Sequence, residues 1–90
     1  MPVIKIPTPL RSYVGGQAEV PVKGETARAA LDDMLAHYPV FRPQLCKKDG
    51  SLRAFVNLYL EKTNIRDLQG LETQLRPEDI LNLVPAIAGG

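Results

Sequence analysis

The chain has 90 residues, 44% of them hydrophobic and 23% charged, proportions that support one folded domain with a single modest core and exclude both a second domain and wholesale disorder. Eleven Lys or Arg against ten Asp or Glu leave a formal charge of +1, too little net field to draw nucleic acid or an anionic membrane, so the expected partner is a protein. The one cysteine, Cys46, excludes an intrachain disulfide, a four-thiolate metal site and an iron–sulfur cluster held by this chain alone.

Met1-Pro2-Val3-Ile4-Lys5 lacks the apolar run of a secretory signal and no long apolar stretch follows, so a cytoplasmic location without membrane insertion is expected. Val3 to Ile6 is rich in β-branched residues and is followed by Pro7 and Pro9, which predicts a short strand. Arg11 to Val14 leads into Gly15-Gly16, a pair that tolerates positive φ, and Ala18 to Val22 then returns as the second strand of a hairpin. Ala18, Val20 and Val22 share one face of that strand, and Pro21 marks it as an edge.

Thr26 is placed to cap a helix over 27–38, in which Ala27, Ala30, Leu31, Met34, Leu35 and Tyr38 fall on one face opposite Arg28, Asp32, Asp33 and His37. Pro39 stops it, and 40–50 reads as a connection with a short helical turn over Phe41 to Leu45. From Ala54 the period becomes two, with Phe55, Asn57 and Tyr59 on one side and Val56, Leu58 and Leu60 on the other. Glu61 to Asn64 reads as a polar turn, and 65–75 as a short strand plus a turn. Ile80 to Val84 is the last strand, with Leu81 and Leu83 inward and Asn82 and Val84 outward.

The order strand, strand, helix, strand, short strand, strand predicts an α+β fold of four to five strands with one main helix across the sheet. Residues 1–85 form the domain and 86–90 a flexible tail of small residues, Ala86-Ile87-Ala88-Gly89-Gly90.

Those closing residues, taken with the order of elements, resemble the MoaD/ThiS family of ubiquitin-like sulfur carriers. Ile6-Pro7-Thr8-Pro9-Leu10-Arg11, Gly15-Gly16-Gln17, Phe55-Val56-Asn57 and the Pro-Ala-Ile-Ala-Gly-Gly ending are most similar to the carriers of CysO type, which serve cysteine biosynthesis. The resemblance implies a β-grasp fold with a mixed sheet. It implies that an adenylyltransferase related to ubiquitin-activating enzymes joins AMP to the carboxyl of Gly90, and that a sulfur donor converts it to a thiocarboxylate. A cysteine synthase or a molybdopterin synthase large subunit would then take the sulfur. ATP and magnesium would belong to the activating enzyme, this chain binding no cofactor and no metal.

The residue types suit that chemistry. A free α-carboxyl has a reference pKa of about 3.3–3.7 and is an unreactive anion near neutral pH, so it needs a leaving group such as AMP before sulfur can attack. Glycine at the last two positions removes side-chain bulk and widens the backbone choices for threading a narrow channel, with Ala86, Ile87 and Ala88 following it in. Ordering such a tail costs roughly 1–2 kcal/mol per residue, so a docking surface on the body is needed, for which Val84, Tyr59 and Phe55 are candidates.

Simpler readings stand beside these. Isolated apolar residues at Val84, Tyr59 and Phe55 are also what ordinary packing leaves exposed. Cys46 and His37 could form a nucleophile–base pair, but a lone thiol is more simply a packing residue and His37 a partner for the helix's last carbonyls. Arg42, Lys47, Lys48 and Arg53 form a basic cluster that suits either a solvated loop or an acidic partner. Gly15-Gly16 lacks the Gly-Lys-Ser or Gly-Lys-Thr of a phosphate loop. A molybdopterin or thiamine-type carrier, or a modifier that forms isopeptide bonds, are the alternatives to the cysteine pathway.

Overall fold

Thr26 starts the main helix as its side chain suggests. In the computed structural model, which describes residues 1–85, Thr26 is extended and its Oγ1 accepts a hydrogen bond from the Ala29 amide at 3.1 Å, satisfying one of the free donors of the first turn. Helix α1 spans Ala27–His37. A second free donor, the Ala27 amide, donates to the Thr73 carbonyl at 2.9 Å, and the Leu75 amide donates back to Glu25 at 2.8 Å. Segment 73–75 is thus held against the start of the helix. Ala27, Ala30, Leu31, Met34 and Leu35 are buried, Tyr38 is half-buried, and Arg28, Asp32 and His37 face solvent.

Five strands form one sheet: β1 Val3–Lys5, β2 Glu19–Pro21, β3 Val56–Leu60, β4 Thr63–Asn64 and β5 Ile80–Pro85, in the order β2-β1-β5-β3-β4. Strand β5 is central, parallel to β1 and antiparallel to β3. The chain's last strand therefore lies between its first and third. Ile4, Ile6, Val56, Leu58, Leu81 and Leu83 are buried in one core with the apolar face of α1, while alternate residues face the other way. Pro21 sits on the edge strand β2, where its missing amide costs no ladder bond.

Several expectations need correcting. The hairpin's first arm is not Arg11 to Val14: residues Thr8–Val14 form a 3₁₀ helix with proline in its first turn, where a missing amide is tolerated. Ala18 lies outside β2 and is exposed, whereas Val20 within β2 and Val22 just after it are buried. The turn over Phe41 to Leu45 is a 3₁₀ turn, Pro39–Phe41, running into the four-residue helix α2, Arg42–Leu45. Strand β3 begins at Val56, so Phe55 belongs to the turn before it. Thr63 and Asn64, read as a turn, pair with Leu60 and Tyr59 as β4. The segment 65–75 holds two 3₁₀ turns, Ile65–Asp67 and Gly70–Glu72, and no ladder strand. Pro85 pairs with Val56 and so ends β5.

Candidate docking face and tail root

The site is built on β5. Because Leu81 and Leu83 point into the core, Ile80, Asn82 and Val84 point to the uncovered face of the sheet. Register brings three rows together there: Val3 beside Ile80, Lys5 beside Asn82 beside Tyr59, and Val84 beside Asn57. Val84 and Tyr59 are thus diagonal neighbours on adjacent strands, close enough for their side chains to form one surface. Val84 is 43% and Ile80 40% exposed, which makes this a mixed apolar and polar face.

Phe55 belongs elsewhere. It is 49% exposed and lines a small cleft with Leu10, Gln44, Leu45, Val56 and Pro85. This cleft flanks the point where β5 ends and residue 86 begins. Of the three docking candidates, the structure groups Val84 with Tyr59 on the open face and places Phe55 at the root of the tail. Both positions adjoin the end of β5, one on the sheet and one beside it. Gly90, Gly89, Ala88, Ile87 and Ala86 lie outside the described residues.

Sequence reading missed a polar clamp at the same end. The Arg66 guanidinium donates to the Arg53 carbonyl at 2.9 Å, the Ala54 carbonyl at 3.2 Å and Asn57 Oδ1 at 2.8 Å. Asn64 Nδ2 donates to the same Asn57 oxygen at 3.1 Å, and Asn64 Oδ1 accepts from the Arg66 amide at 2.9 Å. One guanidinium so ties the turn leading into β3 to the residue facing Val84. No local signal marks Arg66, since its partners lie 9 to 13 residues away.

The Cys46–His37 pair is not assembled. His37 is exposed, with Nδ1 within hydrogen-bond distance of the Asp33 carbonyl at 2.9 Å, one turn back in the helix. Cys46 is buried; burial pushes its thiol above the ordinary range, against smaller lowering influences from Arg42, Arg28 and Arg53. A thiol held protonated is a poor nucleophile. Among the described residues no cluster of three or more His, Cys, Asp or Glu is placed to hold a metal, and no helix is long and apolar enough to cross a membrane. One hollow, of about 530 Å³, is lined by Pro2, Gly24 and Pro77 among others. It sits before the start of β5, at the opposite end from the tail.

A helix packed across a mixed five-stranded sheet, with a central last strand running out toward a Gly-Gly end, defines a ubiquitin-like β-grasp protein. The ThiS family model matches residues 4–90, and the chain belongs to that family. The sulfur carrier protein CysO of Mycobacterium tuberculosis is 36% identical over 89 residues, covering 97% of this chain and 96% of the relative. Among solved structures, a chain of the Amycolatopsis orientalis BexX/CysO complex superposes with a TM-score of 0.90 at 33% identity, covering 100% of both chains. The small archaeal modifier protein 1 of Methanosarcina acetivorans is 29% identical with a TM-score of 0.86, covering 99% of this chain and 95% of its own.

Proposed function

We propose that this protein is a sulfur carrier whose reacting group is the α-carboxylate of Gly90. A partner adenylyltransferase joins the carboxylate to AMP from ATP, releasing pyrophosphate. Hydrosulfide released from a sulfur donor then attacks the acyl carbon and expels AMP, leaving a thiocarboxylate and a proton. ATP and magnesium are used by that partner, and this chain acts as its co-substrate in the cytoplasm. Gly89, Ala88, Ile87 and Ala86 thread the partner's channel, while Val84 and Tyr59, with Phe55 at the tail root, meet its surface. The preferred recipient is a cysteine synthase, which the likeness to the CysO proteins supports; a molybdopterin synthase large subunit is the alternative.

The observation that carries this reading is the family match running through residue 90, joined to a central strand that ends five residues before it. Intact-mass measurement tests it. After incubation with the activating enzyme, ATP and a sulfur source, one oxygen is replaced by sulfur; an unchanged mass with each such enzyme refutes the proposal. Gly89→Val abolishes that mass change without altering the melting temperature.

A second reading has its own support in the likeness to a small archaeal modifier protein: Gly90 could be joined by an amide bond to a lysine of another protein. Conjugates on a denaturing gel that survive a reducing agent distinguish it from the carrier role.

A further inference from the structure

The cluster Arg42, Lys47, Lys48 and Arg53 is gathered by the fold around one groove of about 450 Å³, with Pro39, Pro43 and Cys46 also lining it. Residues 42–53 hold four of the eleven cations and one of the ten carboxylates, so they carry +3 while the rest of the chain carries −2. The net positive charge of this protein thus comes from this segment, although seven of the eleven cations lie elsewhere. Little of it is neutralised. Arg42 lies 4.0 Å from Asp32 with both side chains about half exposed. Lys47 and Lys48 form no ion pair among the described residues. The one carboxylate of the segment, Asp49, accepts from the Ser51 amide at 2.9 Å and hydroxyl at 2.6 Å.

The fold also braces the groove. The Arg53 Nε donates to the Pro43 carbonyl at 2.8 Å, and the Arg53 amide donates to the Leu45 carbonyl at 2.9 Å, joining the two walls. The Lys47 amide donates to the Ser51 carbonyl at 2.8 Å and the Gly50 amide to the Lys47 carbonyl at 3.0 Å, which shapes the turn that presents the lysines. A braced wall loses less freedom on binding than a loose loop.

We propose that this groove is a second docking surface, which takes an extended, carboxylate-rich segment of a protein partner. Its size is that of a ligand cleft rather than a single-ion seat. Four cations line it, so a chain carrying several carboxylates can pair with more than one of them. No aromatic side chain lines it, so single-stranded nucleic acid finds no stacking platform, and the net negative charge of the remaining surface repels a long polyanion. Pro39 and Pro43 offer apolar contact to the partner segment between its carboxylates.

The groove has a topological relation to the tail that needs no assumption about tail chemistry. Arg42 and Pro43 of α2 line the groove, and Gln44 and Leu45 of the same helix line the cleft beside Pro85. A four-residue helix is about 6 Å long, so a partner anchored in the groove has the root of the tail within immediate reach.

The test is a titration of the ¹⁵N-labelled full chain, at low ionic strength, with an acetylated hexapeptide of alternating aspartate and valine. Saturable amide shifts concentrated in 42–53 are expected, weakening as salt shortens the screening length from about 30 Å at 0.01 M to about 8 Å at 0.15 M. Lys47→Glu with Lys48→Glu weakens binding by about tenfold or more, while Lys5→Glu with Lys62→Glu, the same change of net charge elsewhere, leaves it within about twofold. The melting temperature of each variant reports that it is folded. Absence of saturable shifts in 42–53 overturns the proposal, as does equal weakening by both variants. Binding of inorganic phosphate or of a uridine dodecanucleotide as tight as that of the peptide also overturns it.

Discussion

Replacing Arg66 with alanine removes three hydrogen bonds at once, to the carbonyls of Arg53 and Ala54 and to Asn57 Oδ1. Arg66 is exposed, so water reaches the freed acceptors, and each bond is counted at the low end of its range, about 0.5 kcal/mol or somewhat more. The sum is about 1–2 kcal/mol, which lowers the melting temperature of a chain this size by about 5–15 °C. Loss is local as well as global. Hydrogen exchange rises most in 54–57, where the turn into β3 loses its brace and Asn57 keeps only Asn64. Arg66→Lys restores the charge but not the planar fork that spans three acceptors, so it recovers only part of the loss. An unchanged melting temperature and unchanged exchange in Arg66→Ala refute the clamp, and full recovery in Arg66→Lys refutes its dependence on geometry.

Val84→Asp leaves the melting temperature nearly unchanged, because the side chain points outward, yet lowers the rate of AMP transfer by the activating enzyme by about tenfold; an undiminished rate removes Val84 from the docking face. Gly24→Ala places a methyl group about 2.5 Å from the Ala30 amide nitrogen and 2.8 Å from the Ala29 carbonyl carbon, backbone atoms that cannot step aside, and costs about 1–3 kcal/mol in denaturant titration. Cys46 reacts slowly with iodoacetamide in the native protein and rapidly in denaturant. Since its thiol is raised on folding, its contribution to stability is full below the unfolded thiol's pKa and fades as pH rises through the folded value. Between about pH 8 and pH 10 the native chain therefore loses more stability than Cys46→Ala; equal losses contradict the assignment.

What could be read in advance follows from which interactions are local. Helix α1 was legible because its cap is three residues from the amide it serves and its apolar face repeats at helical spacing. Strand β5 was legible through alternation, and with it the outward placement of Val84. The departures have several causes. The Thr8–Val14 turn looked extended because proline excludes an α-helix interior, but proline fits the first turn of a 3₁₀ helix. Thr63 and Asn64 became a strand because β3 offered them an edge to pair with, which no short polar tetrapeptide reveals. Residues 73–75 are held by bonds to Glu25 and Ala27, about 50 residues earlier in the chain, while the two turns before them close on local bonds. Phe55 was assigned to the sheet because alternation extends naturally one residue too far, whereas the turn bonded from the Val56 amide to the Arg53 carbonyl at 3.0 Å interrupts it. The Arg66 clamp depends on tertiary neighbours and left no pattern to follow, whereas the basic cluster of Arg42, Lys47, Lys48 and Arg53 was legible as a run of charge and only its gathering about one groove needed the fold.

The central place of β5 has a mechanical consequence. A pull along the tail, such as the activating enzyme proposed above would exert, acts along the axis of a strand bonded to β3 over Leu81–Pro85 and to β1 over Ile80–Asn82. The ladder bonds lie across that axis, so they share the load in shear instead of peeling apart one after another. The globular body can therefore serve as a rigid handle, holding firm while its far end is gripped and released.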